Sequence, residues 1–421
     1  MSKFMVDADV IIVGGGPAGA TAAAILAGLG RSVIVCEKSQ PGAYRVGESL
    51  IPYCHYPLQR SGALGAVAAA GFQEKKSVQF VAADGHVSKP FYFDDYLGDE
   101  VGSTWQVDRP LFDALLLENA AKRGAKIMRG VAVREFIRDD TDAVCGVFVG
   151  DGDGAKSALH APITIDASGR EAVYMSQMGW RHREPALDRI AVWSYFEGGK
   201  REPGRNEGAT TIAQLPNDGW IWTIPLANNR VSVGAVAKRT QLFGSTRVPD
   251  DVLAQCIASN PWVEDNLRGS TQVAPVRVTA DYSYRARHCA DRGIVLVGDA
   301  YGFLDPVFSS GVFLALASGE RAGLAVHEAL NSDCPQQYDY ASYGEWLSGG
   351  TEAMRALVHA FYDPRFSMSG MLRSHPELTN DVTDCLVGNL FRDFDSLLKV
   401  LADESQVPGP IEAGTAQAPI P

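Results

Sequence analysis

With 421 residues, 46% of them hydrophobic, the chain can bury two or three intergrown units rather than one ordinary core. A formal charge of −12 at pH 7 disfavours nucleic acid as a partner, so any acidic partner must meet a local basic patch. No apolar run reaches membrane-spanning length, the seven cysteines form no CxxC pair and the eight histidines form no ligand cluster, which argues against membrane insertion, a disulfide framework and a structural metal. The start, MSKFMVDADV, has neither a long apolar core nor a cleavage site, so a soluble cytoplasmic protein is expected.

The first element is VIIVGGGPAGATAAAILAGL over 10–29, an apolar strand running through glycines into an alanine-rich helix. The spacing Gly14-x-Gly16-x-x-Gly19 supplies a tight turn, a close backbone approach to a pyrophosphate and close helix-to-strand contact. A helix opening near Pro17 and Ala18 aims free N–H groups at phosphates. A second strand over 32–36 ends at Glu37, placed to accept from an adenosine ribose, with Lys38 beside it.

Next, Arg45, Glu48 and Ser49 crowd into a polar loop that gives way to a helical run; such a loop can touch a ligand or be a solvated turn. The stretch 71–80, GFQEKKSVQF, ends as the start of a strand, with Lys75 at its mouth. Pro110 opens an amphipathic helix carrying Leu111, Leu115, Leu116 and Ala120 at helical spacing, with Arg109 just ahead. Strands over 132–136 and 145–149 bracket a hairpin, and one over 163–167 leads into Ser168-Gly169-Arg170. Alternating segments between about 189 and 281 read as a sheet laid over the dinucleotide lobe. The lobe resumes at GIVLVGDA, 293–300, whose Gly298 and Asp299 offer a second anchoring point, followed by DPVFSSG and a helix over 312–330. Helices are expected over 341–347, 352–362 and 381–401, and 404–421 reads as a disordered tail.

One glycine fingerprint with a distant second strand-turn suits a single long cofactor such as FAD. The arrangement resembles the flavin monooxygenase and halogenase superfamily over nearly the whole chain. That resemblance implies an α/β fold: a Rossmann-type FAD lobe (1–185 with 282–330), an inserted mainly β substrate-side sheet (186–281) and a helical C-terminal region (331–403). WIWTIP, 220–225, is similar to the WxWxIP signature of flavin-dependent halogenases. Alternation puts Trp220 and Trp222 on one face; alone, such a pair is more often core packing. The resemblance implies that Trp220, Trp222 and Pro225 form a barrier keeping the organic substrate from the flavin.

The loop at 305–312 enters a helix and exposes consecutive N–H groups that can hold a small anion. Ser309 or Ser310 can instead simply cap that helix, and both roles are compatible. By resemblance, the Ser310 and Gly311 N–H groups hold halide and Val312 lies near the flavin. Only the family pattern, GF-x-x-Lys before an aromatic, singles out Lys75 as the essential lysine; Ser77 stands where the family usually has glycine. An ammonium there can hydrogen-bond hypohalous acid or form a haloamine, and the sequence leaves both open.

Tryptophan halogenases carry a glutamate just before the Ser-x-Gly, where this chain has Phe308, which implies a ring electron-rich enough to need little general-base help. FSSGV, ADYSY (280–284), VDR (107–109) and YDPRF (362–366) resemble the pyrrole halogenases of pyoluteorin-type and marinopyrrole-type pathways. Those enzymes act on a pyrrole-2-carboxyl thioester on a peptidyl carrier protein. The resemblance therefore implies FADH2 from a separate flavin reductase, O2, chloride or bromide, and a carrier-bound pyrrole. Arg355, Arg365 and Arg373 are candidate exposed contacts to an acidic carrier. Rival readings are a phenol halogenase, a hydroxylating monooxygenase or reductase on the same fold, and a flavin-binding sensor.

Overall fold

The computed structural model describes residues 6–409 apart from 41, 43, 44, 99, 151–155, 217, 281 and 282. The expected tail beyond 409 and two residues of the 280–284 run lie outside this set. Among the described residues, no helix is long and apolar enough to cross a membrane.

The N-terminal strand Val10–Val13 sits inside a six-stranded sheet between Ile163–Asp166 and Val33–Glu37, parallel to both, with Val10 opposite Ile163 and Val33. All four of its residues are buried, as expected for a parallel strand covered on both faces. Helix Pro17–Gly28 packs on this sheet, and helix Gly311–Ala329 packs across it with very close backbones. A Cβ on Gly319 would lie 2.3 Å from the Ala18 carbonyl oxygen, so glycine is what permits this contact. Helix Arg109–Lys122 is capped by Asp108, whose carboxylate accepts from Leu111 N.

A larger sheet covers the cofactor side. In spatial order its main path runs Thr271–Gln272, Ile190–Glu197, Arg230–Ala237, Trp220–Pro225, Thr210–Gln214, Ser77–Val81 and Phe91–Tyr92. Two of these strands, Ser77–Val81 and Phe91–Tyr92, come from the segment preceding the β-rich stretch. Alternation sorts its two faces: Val192, Ile221 and Val233 join an apolar cluster with helices Pro249–Ala258 and Pro261–Asn266, while Trp193, Trp220, Trp222 and Ile224 turn toward the nucleotide lobe.

The C-terminal helices differ from the sequence expectation. The segments 341–347 and 352–362 are one helix, Ala341–Tyr362, which runs through Gly349 and Gly350. Glycine in a helix costs about 1 kcal/mol, yet here it makes room for a ring: a Cβ on Gly350 would lie 2.3 Å from Phe391 Cε1. The helix expected over 381–401 is two, Thr379–Val387 and Asp395–Glu404. Gly388 ends the first in a left-handed conformation, φ +98°, against Ile51 and Tyr53.

Candidate active site

A cavity of about 770 Å³ lies between the nucleotide lobe and the inner face of the large sheet. Gly14, Gly16, Pro17, Ala18, Glu37, Lys38, Arg45, Ser49, Arg109, Asp299, Gly311, Val312, Trp220 and Trp222 all line it. Gly19 and Gly298 shape it from behind. A Cβ on Gly19 would fall 2.0 Å from the Gly14 carbonyl oxygen, which is the tight helix-to-strand contact the spacing calls for, and Gly298 turns with φ +55°. Gly14 has φ +101°, and a Cβ there would lie 2.4 Å from the Ala167 carbonyl oxygen. On Gly16, an added Cβ would meet only Arg45, at 3.5 Å, so this backbone stays open to a close-lying ligand.

The wall suits an anionic dinucleotide. Six cationic side chains, Lys38, Arg45, Arg109, Arg134, Arg170 and Arg277, face it within a protein of net charge −12. Glu37 accepts from Gly15 N at 2.6 Å and Ser39 N at 2.7 Å, one on each oxygen, which leaves acceptor capacity on both for ribose hydroxyls. Lys38 pairs with Glu171 at the rim. Arg109 is buried, and it holds the loop: Nη1 donates to the Val46 and Gly47 carbonyls at 2.8 and 3.3 Å while Asp113 clamps the other edge. Asp299 is pushed up to about 6 by burial, against the pull of Arg170, Arg109 and Arg45. These residues fit FAD.

The tryptophans stand side by side on strand Trp220–Pro225, ring centroids 5.9 Å apart, both buried. Each indole N–H is moored through a hydroxyl toward a buried carboxylate. Trp220 Nε1 donates to Tyr362 Oη at 2.8 Å, and Tyr362 donates to Asp305 Oδ2 at 2.8 Å. Trp222 Nε1 donates to Ser232 Oγ at 3.0 Å, which lies 3.4 Å from Glu48 Oε1, itself bonded by Tyr195 Oη at 2.6 Å. Burial raises both carboxyls, Asp305 to about 6. Pro225 points off this face, and Ile224 takes the wall position instead.

The loop at 305–312 begins as a short turn, Pro306–Phe308, capped by Asp305, whose carboxylate accepts from Val307 N at 3.0 Å. Ser309 follows in the left-handed region, φ +57°, and Ser310 returns to helical angles, a succession that turns adjacent N–H groups toward one point. Neither serine caps the long helix through its side chain. Among the described residues, the Ser310 and Gly311 N–H groups have no hydrogen-bond partner, and an added Cβ on Gly311 meets nothing within 4 Å. Phe308 is buried against Phe361, ring centroids 5.9 Å apart, away from the cavity wall.

Lys75 ends the short strand Gln73–Lys75 and is fully buried, 0% exposed. Its Nζ donates to Ser49 Oγ at 2.9 Å and to the Leu50 carbonyl at 2.8 Å. Burial lowers its pKa from an ordinary 10.5 to about 7, so the amine and the ammonium coexist near neutral pH. Lys76 is half-exposed beside Glu74.

The docking expectation fails at Arg355. Arg355 is no exposed docking contact but is 2% exposed, paired with Glu352 and Glu184 and donating to the Pro408 and Gly409 carbonyls. Its neighbour His359 joins Glu184 at 2.6 Å. Arg365 and Arg373 are exposed, the former held by Asp363. Sequence reasoning also missed the parts played by Thr210 and Gln106, which reach the site by strand pairing, by Asp305, which caps the turn before the long helix, and by Tyr362, at the end of helix Ala341–Tyr362.

Comparison with known proteins places this geometry. The model of the tryptophan halogenase family matches residues 9–96 and 66–367. A 1H-pyrrole-2-carbonyl-[peptidyl-carrier protein] chlorinase of Pseudomonas fluorescens is 29% identical over 409 residues, 91% of this chain and 90% of that protein. A tryptophan 2-halogenase of Chondromyces crocatus is 32% identical over 359 residues, 84% and 67% of the two chains. The solved structure of a flavin-dependent brominase superposes with a TM-score of 0.84 at 25% identity, over 94% of this chain and 98% of that one.

Proposed function

Because the chain belongs to the tryptophan halogenase family and is a flavin-dependent halogenase that uses FAD and a halide, we propose that its substrate is a pyrrole-2-carboxyl thioester on a peptidyl carrier protein. FADH2 from a separate cytoplasmic flavin reductase, with O2, is the proposed source of oxidising power. Held by Gly14, Gly16, Glu37, Arg45 and Arg109, reduced FAD would supply the two electrons that, with O2, bring chloride or bromide to the level of hypohalous acid.

The chain's own residues do the rest in this reading. The Ser310 and Gly311 N–H groups hold the halide beside Val312. Trp220 and Trp222 deny an aromatic ring entry to the cavity while leaving room for a small inorganic species. Lys75 meets that species and presents its halogen to the ring. Phe308 in place of a carboxylate fits a ring that needs no strong base. The observation that carries the reading is a lysine sealed from solvent yet hydrogen-bonded to Ser49, which lines the same cavity as the tryptophan pair. The relative of similar length that acts on a carrier-bound pyrrole supports the substrate class.

The test supplies reduced FAD, halide and a pyrrolyl carrier protein and reads the intact mass of the carrier. A mass increase of one or more halogens in place of hydrogen is expected, lost in Lys75→Ala while FAD binding persists. No gain on the carrier, with halogen appearing on free phenols, would overturn the substrate assignment.

A further inference from the structure

Lys75 does not border the cavity and no part of it reaches solvent, so any proton it gains or loses needs a carrier. Among the described residues its amine bonds to two atoms, Ser49 Oγ and the Leu50 carbonyl oxygen. The face of Phe93 lies 5.3 Å away, and the neighbouring titratable group, Cys54, has its thiol pushed up to about 12 by burial and so is uncharged near pH 7. A carbonyl oxygen accepts a hydrogen bond but has no proton to hand on; a hydroxyl does both. Ser49 Oγ lies 2.7 Å from Thr210 Oγ1, and Gln106 Nε2 fixes that second hydroxyl by donating to it at 2.8 Å and to the Gly208 carbonyl at 2.9 Å. Ser49 and Thr210 both line the cavity that Lys75 does not touch.

We propose that Ser49, backed by Thr210, is a positioning residue that aims the Lys75 amine and conducts its proton to and from the cavity. This rests on the reading of Lys75 as the residue that meets the halogenating species. As an ammonium, Lys75 donates to Ser49 Oγ and Ser49 donates to Thr210. On neutralisation the proton on Nζ moves to Ser49 Oγ, the original Ser49 proton moves to Thr210 Oγ1, and the Thr210 proton passes to water in the cavity. Both hydroxyls then point the other way: Thr210 donates to Ser49, and Ser49 donates to the lone pair on Nζ. Only O–H and N–H bonds change, and the positive charge leaves as hydronium. A pKa near 7 lets this exchange run in either direction near neutral pH. The same two hydroxyls thereby give access to the nucleophilic amine that a haloamine requires and to the ammonium that hydrogen-bonds hypohalous acid.

The test uses the full chain, with lysine labelled by 13C at the ε-methylene and 15N at Nζ, and the Lys75 signal identified by its loss in Lys75→Met. In Ser49→Ala the titration midpoint of Lys75 should fall by about one pH unit, because the ammonium loses a charge-assisted hydrogen bond. Exchange of its Nζ protons with solvent should slow about tenfold or more, with Ser49→Thr restoring both values. Thr210→Val should slow exchange while moving the midpoint less. Supplied with FADH2, O2, halide and an electron-rich aromatic, Ser49→Ala should lose about tenfold or more in kcat, with a shifted pH profile and bound FAD retained. A wild-type midpoint and exchange rate in Ser49→Ala would overturn the proposal, as would wild-type exchange in Thr210→Val should the alanine variant not fold. If the wild-type protein halogenates no aromatic, the function reading fails on its own, and the resonance measurement still decides whether Ser49 governs Lys75.

Discussion

Replacing Lys75 by methionine should make the protein's stability respond to pH in a way that isolates one buried charge. Lys75 is 0% exposed and its pKa falls from 10.5 to about 7 on folding. Between those values the unfolded chain binds more protons than the folded one, so this residue's contribution to stability rises with pH. The cost of burying it is fully present below the folded pKa of about 7 and disappears as the pH approaches 10.5. At about 1.4 kcal/mol per pKa unit the full cost is on the order of 5 kcal/mol, and linkage relieves about 2.5 kcal/mol of it between pH 6 and pH 9. Methionine fills a similar volume but leaves Ser49 Oγ and the Leu50 carbonyl short of a donor, a loss of about 1–3 kcal/mol that does not vary with pH over this range. The sign at any single pH is therefore uninformative, and the difference between two pH values is the readout. Urea unfolding of the FAD-free protein and of Lys75→Met at pH 6 and pH 9 should show the variant's relative stability to be greater at pH 6 by about 2.5 kcal/mol. Equal stability differences at the two pH values would refute the reasoning and mean that Lys75 keeps an ordinary pKa in the folded protein.

Gly19→Ala places a methyl where the Gly14 carbonyl oxygen already sits, so FAD retention on gel filtration should be lost while the large sheet's circular dichroism persists. Tyr362→Phe removes the partner of both Trp220 and Asp305; a loss of about 1–3 kcal/mol in urea is expected, with more peroxide released per halogenated product. In Arg355→Met, Glu184 and Glu352 lose a buried cation, and the fall in stability should be about 3–5 kcal/mol by urea unfolding, with the KM for carrier unchanged. Arg365→Glu, at an exposed position, should raise the apparent KM for an acidic carrier without changing kcat on a free aromatic, and an unchanged KM would remove Arg365 from the docking face.

What could be read from the chain in advance was whatever is encoded locally. The fingerprint from Gly14 to Gly19 carries its steric reasons within six residues, and strand alternation was enough to put Trp220 and Trp222 on one face while Ile224, two further on, was overlooked in favour of Pro225. The hydroxyls around Lys75 were not legible because Ser49 and Thr210 are 161 residues apart and meet only through the folded sheet. Tyr362 reaches Trp220 from 142 residues away, and nothing in YDPRF distinguishes a mooring hydroxyl from a surface tyrosine. Arg355 shows the opposite failure. An arginine on a polar helix turn reads as solvated, and its burial follows from a glutamate 171 positions earlier in the chain.

The two indoles of the wall are tethered to opposite ends of the polypeptide, one toward the loop at Glu48 and the other to the helix ending at Tyr362. The nucleotide lobe is complete by the helix ending at Ala329, whereas the second tether comes from a residue 33 positions later. Loss of the chain's last sixty residues would therefore strip Trp220 of its hydroxyl partner while leaving Trp222 bonded to Ser232.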